Sequence, residues 1–156
     1  MYRTTAVSLE RPSLEGMPIS QSQPTETILV VDDEPEVLAL VADYLQTKGY
    51  MLLLTGDPRE ALRLARTRTE PIHLLLTDVV MPFMNGRQLA EQVRAIRPEV
   101  RVLFMSGYST DAVEDYGIRL APGAPFLVKP FAMDDLANKV RAVLDYHSPF
   151  TRPKRN

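Results

Sequence analysis

Asp32, Asp33, Asp78, Ser106 and Lys129 are the residues of this chain whose types and spacing suggest chemistry, because each stands where a short apolar run stops. Residues 28–31 run into Asp32 and Asp33, and 72–76 run into Thr77 and Asp78. Residues 102–105 run into Ser106, and 126–128 into Lys129 and Pro130. Apolar runs of this length, bounded by polar or turn residues, read as strands buried on both faces of a parallel sheet. In open parallel sheets the functional groups gather at the carboxyl ends of the strands. Three carboxylates, one hydroxyl and one ammonium are therefore expected on a single rim. Phosphorylation of an aspartate with a divalent cation is the chemistry that best uses that set.

If the three aspartates lie within about 5 Å of one another, each ionised pair repels by roughly 3 kcal/mol at an effective dielectric near 20. A cation is needed to hold them together. Mg²⁺ suits a set of carboxylate, carbonyl and water oxygens, with Mn²⁺ a tolerated substitute. An Asp-Asp pair before a helix more commonly just caps it. That alternative weakens when Asp78, Ser106 and Lys129 fall on the same rim. A lysine at a strand end is usually a solvated charge, but here Lys129 can pair with Asp78 or with a phosphoryl oxygen. Ser106 can donate its hydroxyl to that same oxygen, and Gly107 leaves space for the group to approach.

The elements that must position these residues alternate along the chain. Residues 34–48 place Val37, Leu38, Val41 and Leu45 on one helical face, with Pro35 in the first turn and Gly49 as a stop. A strand is predicted at 51–54. Asp57 can cap a second helix that has Pro58 in its first turn and ends before Glu70 and Pro71. Residues 86–97 form a third, closed by Pro98, and 133–146 a last one with Asp134 and Asp135 in the first turn, where the helix dipole favours them. Between 110 and 121 a fourth helix is expected to be short or irregular, because Gly117, Pro122 and Gly123 leave little room. Strands alternating with helices imply right-handed crossovers and a three-layer α/β sandwich.

A length of 156 residues suits one domain with tails. Residues 1–25 read as a disordered N-terminal tail, 26–146 as the domain and 147–156 as a disordered C-terminal tail. With 45% hydrophobic residues there is enough apolar material for a core. A net charge of −2 gives no electrostatic case for nucleic acid. The absence of cysteine removes disulfides, thiolate metal sites and cysteine nucleophiles. No apolar stretch is long enough to cross a membrane and no signal peptide is recognisable, so a cytoplasmic location is expected. His73 opens an apolar run and reads as a satisfied strand-end histidine, and His147 falls in the tail.

The core resembles a response-regulator receiver domain, the phosphoacceptor module of two-component signalling. The resemblance is carried by ILVVDDEP at 28–35, LLLTDVVMPFMNG at 74–86, VLFMSGY at 102–108 and FLVKPF at 126–131, in family order and spacing. It implies a flavodoxin-like, CheY-like fold with a five-stranded parallel sheet in the order 2-1-3-4-5. It implies Asp78 as phosphoacceptor, with Asp33 and Asp78 binding Mg²⁺ directly, Asp32 mainly through water, and the Val80 backbone carbonyl as a further ligand. Lys129 and Ser106 would hold phosphoryl oxygens. Phe126 would be the aromatic that rotates inward once Ser106 moves, although it also reads as an ordinary core phenylalanine. The Lys129–Pro130 bond would be cis.

The partner implied is a sensor histidine kinase or a histidine phosphotransfer protein, with a downstream protein target also conceivable. Val80 offers no polar side chain to help water attack, and Tyr108 is placed to shield an acyl phosphate, which together predict slow dephosphorylation. The short fourth helix argues against a standard phosphorylation-driven dimer, so a monomer or weak dimer is expected. The pattern SGYSTDAV resembles receivers at the C-terminus of hybrid histidine kinases and allows a free single-domain protein as well. No output domain and no enzymatic turnover beyond its own phosphorylation are expected. Two other classes stay open at this point: an aspartate-nucleophile phosphatase, which lacks an acid–base aspartate at Val80, and a phosphorylation-independent interaction module.

Overall fold

The computed structural model describes residues 7–9 and 26–146. In chain order the elements are β1 (Val7–Leu9), β2 (Thr27–Val31), α1 (Pro35–Thr47), β3 (Met51–Thr55), α2 (Pro58–Thr67) and β4 (Leu74–Asp78). They continue with α3 (Gly86–Ile96), β5 (Arg101–Ser106), α4 (Thr110–Glu114), β6 (Phe126–Val128) and α5 (Met133–Asp145). One sheet contains all six strands in the order β1-β3-β2-β4-β5-β6. The strands from β2 to β6 pair in parallel, and counted alone they stand in the expected order 2-1-3-4-5. The fold is flavodoxin-like.

Within the stretch whose composition predicts a tail, Val7–Leu9 instead adds an antiparallel edge strand, with Val7 opposite Leu54 and Leu9 opposite Leu52. Three residues, two of them apolar, are too short a run to stand out from the scattered apolar positions around them, so the sequence pattern misses them. Residues 1–6, 10–25 and 147–156, His147 among them, lie outside the described residues.

The strands read as unbroken apolar runs because both faces are covered. Ile28 and Val30 of β2 point into a core shared with Leu38, Val41, Leu45, Leu136 and Val140 of α1 and α5. Leu29 and Val31 point the other way, into a core shared with Ala61, Leu62, Leu89 and Val93 of α2 and α3. Each leucine or valine so buried contributes about 1.5–3 kcal/mol relative to exposure. The second sequence-predicted run, 72–76, becomes β4 shifted toward Asp78. Ile72 is buried ahead of the strand, and the His73 Nδ1 accepts the Thr27 N–H at 2.9 Å. That bond puts the proton of a neutral ring on Nε2 and satisfies the histidine structurally.

The helix ends follow from local chemistry. Asp57 caps α2 by accepting the Arg59 N–H at 2.8 Å. Asn85 and Gln88 close a capping box on α3, at 2.8 and 3.0 Å. Ser109 caps α4 by accepting the Ala112 N–H at 3.2 Å, yet α4 runs for only 5 residues. Gly117 and Gly123, both at φ +74°, turn the chain away beyond it. No helix among the described residues is long and apolar enough to cross a membrane.

Candidate functional site

The rim at the strand ends is built by backbone bonds that continue the ladders past the last paired residues. Asp32 N–H donates to Thr55 O at 3.2 Å, Val79 N–H to Met105 O at 3.0 Å, and Lys129 N–H to Ser106 O at 2.7 Å. Each tie crosses to a neighbouring strand, so the residues beside the ties are held as firmly as the sheet. This is why residues far apart in sequence meet on one rim.

Asp32, Asp33 and Asp78 each offer a carboxylate oxygen, and these oxygens lie within 4.8 Å of one another. Asp32 is fully buried and Asp78 nearly so, whereas Asp33 is exposed. The capping alternative for the aspartate pair does not hold. Glu34 is the residue before α1, without a side-chain cap bond, and Asp32 Oδ1 instead accepts the Glu34 N–H at 2.9 Å. Lys129 reaches in from the end of β6, with its Nζ 2.6 Å from Asp32 Oδ2, 3.0 Å from Glu34 Oε1 and 3.4 Å from Asp78 Oδ2. The pairing expected with Asp78 is thus the longest of three, because Asp32 is the more deeply buried charge and Glu34 reaches over from α1's start. Glu34 is a site residue that sequence reasoning passed over. Its only signal was an acid directly after the aspartate pair.

The electrostatics follow from crowding. Burial pushes the Asp78 carboxyl up to about 7; the Asp32 charge adds to this, and Lys129 and the Val79 N–H offset part of it. Burial likewise raises Asp32, against Lys129 and the Glu34 N–H. Burial works against the Lys129 charge, but Asp32, Asp78 and Glu34 outweigh it and hold the ammonium protonated. Asp32 Oδ2, buried, is held by the Lys129 ammonium at 2.6 Å. Four carboxylates, Glu34 among them, around one ammonium leave a surplus of negative charge. A hard divalent cation with oxygen ligands fits that donor set.

The remaining expected residues lie on β5 and β6 or in the segments that follow the strands. Ser106 is fully buried at the end of β5, and its Oγ accepts the Tyr108 N–H at 3.1 Å. Its own proton is therefore uncommitted among the described residues. Gly107 borders open space, since a Cβ there would meet nothing within 4 Å. Tyr108 is exposed, with its ring 4.9 Å from that of Tyr116. Val80 is half-buried in the segment directly after Asp78. Phe126, beside Phe104 in the β5–β6 ladder, is half-buried against the core that holds Phe104 and Val113. The Lys129–Pro130 bond is cis, as the resemblance implies.

Gly86 is a second residue whose importance the sequence reading left unremarked beyond its place as a helix start. A Cβ on it would lie 2.2 Å from the Asp78 carbonyl oxygen, and its N–H donates to Val79 O at 2.7 Å. The glycine lets the chain between 79 and 86 fold back on the residue that carries the site's central carboxylate.

Comparison with known proteins agrees with this geometry. The family model for the response regulator receiver domain matches residues 28–141. Over 118 residues the chain is 33% identical to the response regulator receiver protein CpdR of Brucella abortus, covering 75% of this chain and 95% of that protein. Over 121 residues it is 33% identical to the sensor kinase CckA of the same organism, covering 76% of this chain but only 12% of the kinase. It spans about half the length of the transcriptional regulators it matches. Among solved structures, the response regulator TrrA of Thermotoga maritima in complex with Mg²⁺ and BeF superposes with a TM-score of 0.62 at 26% identity, covering 76% of this chain and 99% of TrrA.

Proposed function

The chain belongs to the response-regulator receiver family, and from that premise we propose that Asp78 accepts a phosphoryl group from the phosphohistidine of a sensor histidine kinase or histidine phosphotransfer protein. The observation that supports this reading is the meeting of three aspartate oxygens within 4.8 Å under a single lysine. Asp32, Asp33 and Asp78 are the residues that would hold Mg²⁺, with the Val80 carbonyl as a further oxygen and Mn²⁺ as a substitute. When bound, the cation supplies positive charge that keeps the carboxylates ionised and stabilises charge on the transferring group.

The chain's own residues do the rest. An oxygen of ionised Asp78 attacks phosphorus; an O–P bond forms, the P–N bond to the donor imidazole breaks, and the electron pair returns to the ring nitrogen. Lys129 sits close enough to Asp78 to pair with a phosphoryl oxygen at little cost in movement. Ser106 has a free proton to donate to another. Reaching that oxygen turns its Oγ away from the Tyr108 N–H, so the segment after β5 shifts and Phe126 gains room to turn inward. The protein thereby acts as a phosphorylation switch rather than as an enzyme on an external substrate. The apolar Val80 side chain offers no help to water attack and the Tyr108 ring is placed to shield the acyl phosphate, so a lifetime of minutes or longer is expected. Decay in seconds would contradict that.

The test is incubation with Mg²⁺ and acetyl phosphate followed by intact mass. One phosphoryl group per chain is expected, absent in Asp78→Asn and in chelator. A phosphoryl group that persists in Asp78→Asn would refute the assignment.

A further inference from the structure

Phe83 has three properties that folding does not explain. It is the most exposed large apolar side chain among the described residues, at 77%. It alone among the described non-glycine residues has a positive φ, +72°, a region that bulky side chains avoid and that glycine and asparagine tolerate. It belongs to neither core. The ring is nonetheless held in place: the Arg59 guanidinium lies 3.9 Å from its centroid. Arg59 is in turn clamped by Asp57, through Nε to Oδ1 at 3.1 Å and Nη2 to Oδ2 at 2.9 Å. Asp57 is the cap of α2, so the stack Asp57–Arg59–Phe83 ties the β3–α2 turn to the β4–α3 turn across the rim.

Residues kept in sparsely populated backbone regions persist where their surroundings over-determine them, and such residues cluster at functional sites. An aromatic that is exposed yet already ordered loses little freedom on contact, which is the property of an interface anchor. The segment that carries it begins right after Asp78 and is folded back by the Gly86–Val79 bond, so the ring is borne on the turn that leaves the strand end holding Asp78. We propose that Phe83, seated on the Arg59–Asp57 pair, is the anchor by which a protein phosphodonor docks over Asp78. This deepens, and rests on, the reading of Asp78 as phosphoacceptor. A phosphohistidine on a folded protein reaches a nearly buried carboxylate only if the donor covers the rim. A small donor such as acetyl phosphate reaches it without touching Phe83. The donor surface that fits has an apolar pocket for the ring, bordered by a carboxylate facing the outward side of Arg59.

The experiment compares the wild type with Phe83→Asn and Phe83→Gly, two residues at ease at this φ, so that failure to fold is not the confounder. Each is labelled by acetyl phosphate and by the phosphorylated histidine kinase that, of those in the same genome, labels the wild type fastest. Expected is a fall of about tenfold or more in kcat/KM for the kinase, with acetyl phosphate labelling unchanged and Tm unchanged or raised. Arg59→Ala, which frees the ring, is expected to lose part of the same kinase rate. Kinase rates equal to the wild type's overturn the proposal. So does a parallel loss with both donors together with a lower Tm, the mark of a purely structural role. Labelling of the wild type by acetyl phosphate but by no kinase and no histidine phosphotransfer protein also overturns it. Failure of acetyl phosphate to label the wild type at all would instead remove the reading of Asp78 beneath it.

Discussion

Lys129 Nζ stands 2.6 Å from Asp32 Oδ2 and 3.4 Å from Asp78 Oδ2, so the lysine rests more closely on Asp32 than on the proposed acceptor. This divides the labour of the site before any ligand arrives. Asp32 and Glu34 keep the ammonium in place, and Asp78 Oδ2 is the most distant of its three partners. Removing the lysine strands a fully buried carboxylate. In chelator, Lys129→Ala is therefore expected to lose about 3 kcal/mol of stability, the lower end for breaking a buried pair, since Asp78 can take up a proton. Added Mg²⁺ should narrow the gap between variant and wild type. Urea unfolding with and without Mg²⁺ measures both, and equal midpoints for the two proteins in chelator would contradict the arrangement.

Asp78 itself is expected to weaken the metal-free fold. Burial and the Asp32 charge raise its carboxyl from the ordinary 3.8 to about 7. Between those values the folded protein holds a proton that the unfolded chain has released, so stability falls as pH rises through that window and stays low above it. Asp78→Asn has no charge to bury. In chelator its Tm should exceed that of the wild type above pH 7, with the difference shrinking toward pH 3.8. A Tm difference independent of pH would show that the carboxylate is not the cause.

Gly86→Ala places a methyl group 2.2 Å from the Asp78 carbonyl oxygen, which is backbone and cannot swing aside. The expected cost is about 2–3 kcal/mol of overpacking. Because the strain falls on the proposed acceptor, labelling by acetyl phosphate should slow as well. A control with the same methyl group at Gly107, where the space is open, should leave stability nearly unchanged. Thermal melts of the pair, with the labelling rate of Gly86→Ala set against the wild type's, distinguish local displacement of Asp78 from a general glycine effect.

Far from the rim, Arg141 of α5 ties together the ends of three segments. Its Nη2 is 2.7 Å from Glu26 Oε2 and 2.8 Å from Asp145 Oδ1, and its Nη1 is 3.2 Å from the Tyr50 hydroxyl. The bond from Arg141 holds Glu26 below its ordinary 4.5 despite partial burial. A lowered carboxylate adds stability that is fully present above the unfolded value and is lost as pH falls through the folded one. Glu26→Gln is expected to cost about 1 kcal/mol at neutral pH, modest because the pair is partly exposed. That cost should fade below pH 4.5. Denaturation midpoints of both proteins across that range are the check.

Most of the framework was readable from the pattern of residues. Strands buried on both faces must be apolar at every position, so β2, β3 and β5 declare themselves, and the rule that groups collect at strand ends placed Asp32, Asp78, Ser106 and Lys129 together. The cap of α2 and the short α4 follow from Asp57 and from the glycines and prolines after Tyr116. Those features are local, and local chemistry is written in neighbouring residues. Other features depend on which atoms come within a few ångströms across the fold. That Lys129 favours Asp32 over Asp78, that Glu34 joins them, and that Gly86 must be glycine to clear the Asp78 carbonyl are matters of distance between elements. The edge strand Val7–Leu9 rests on backbone pairing with β3, to which side-chain pattern is blind. Phe83 is the clearest case. In the sequence it is one apolar residue in a turn, and only the assembled rim sets it at φ +72°, exposed and stacked on Arg59.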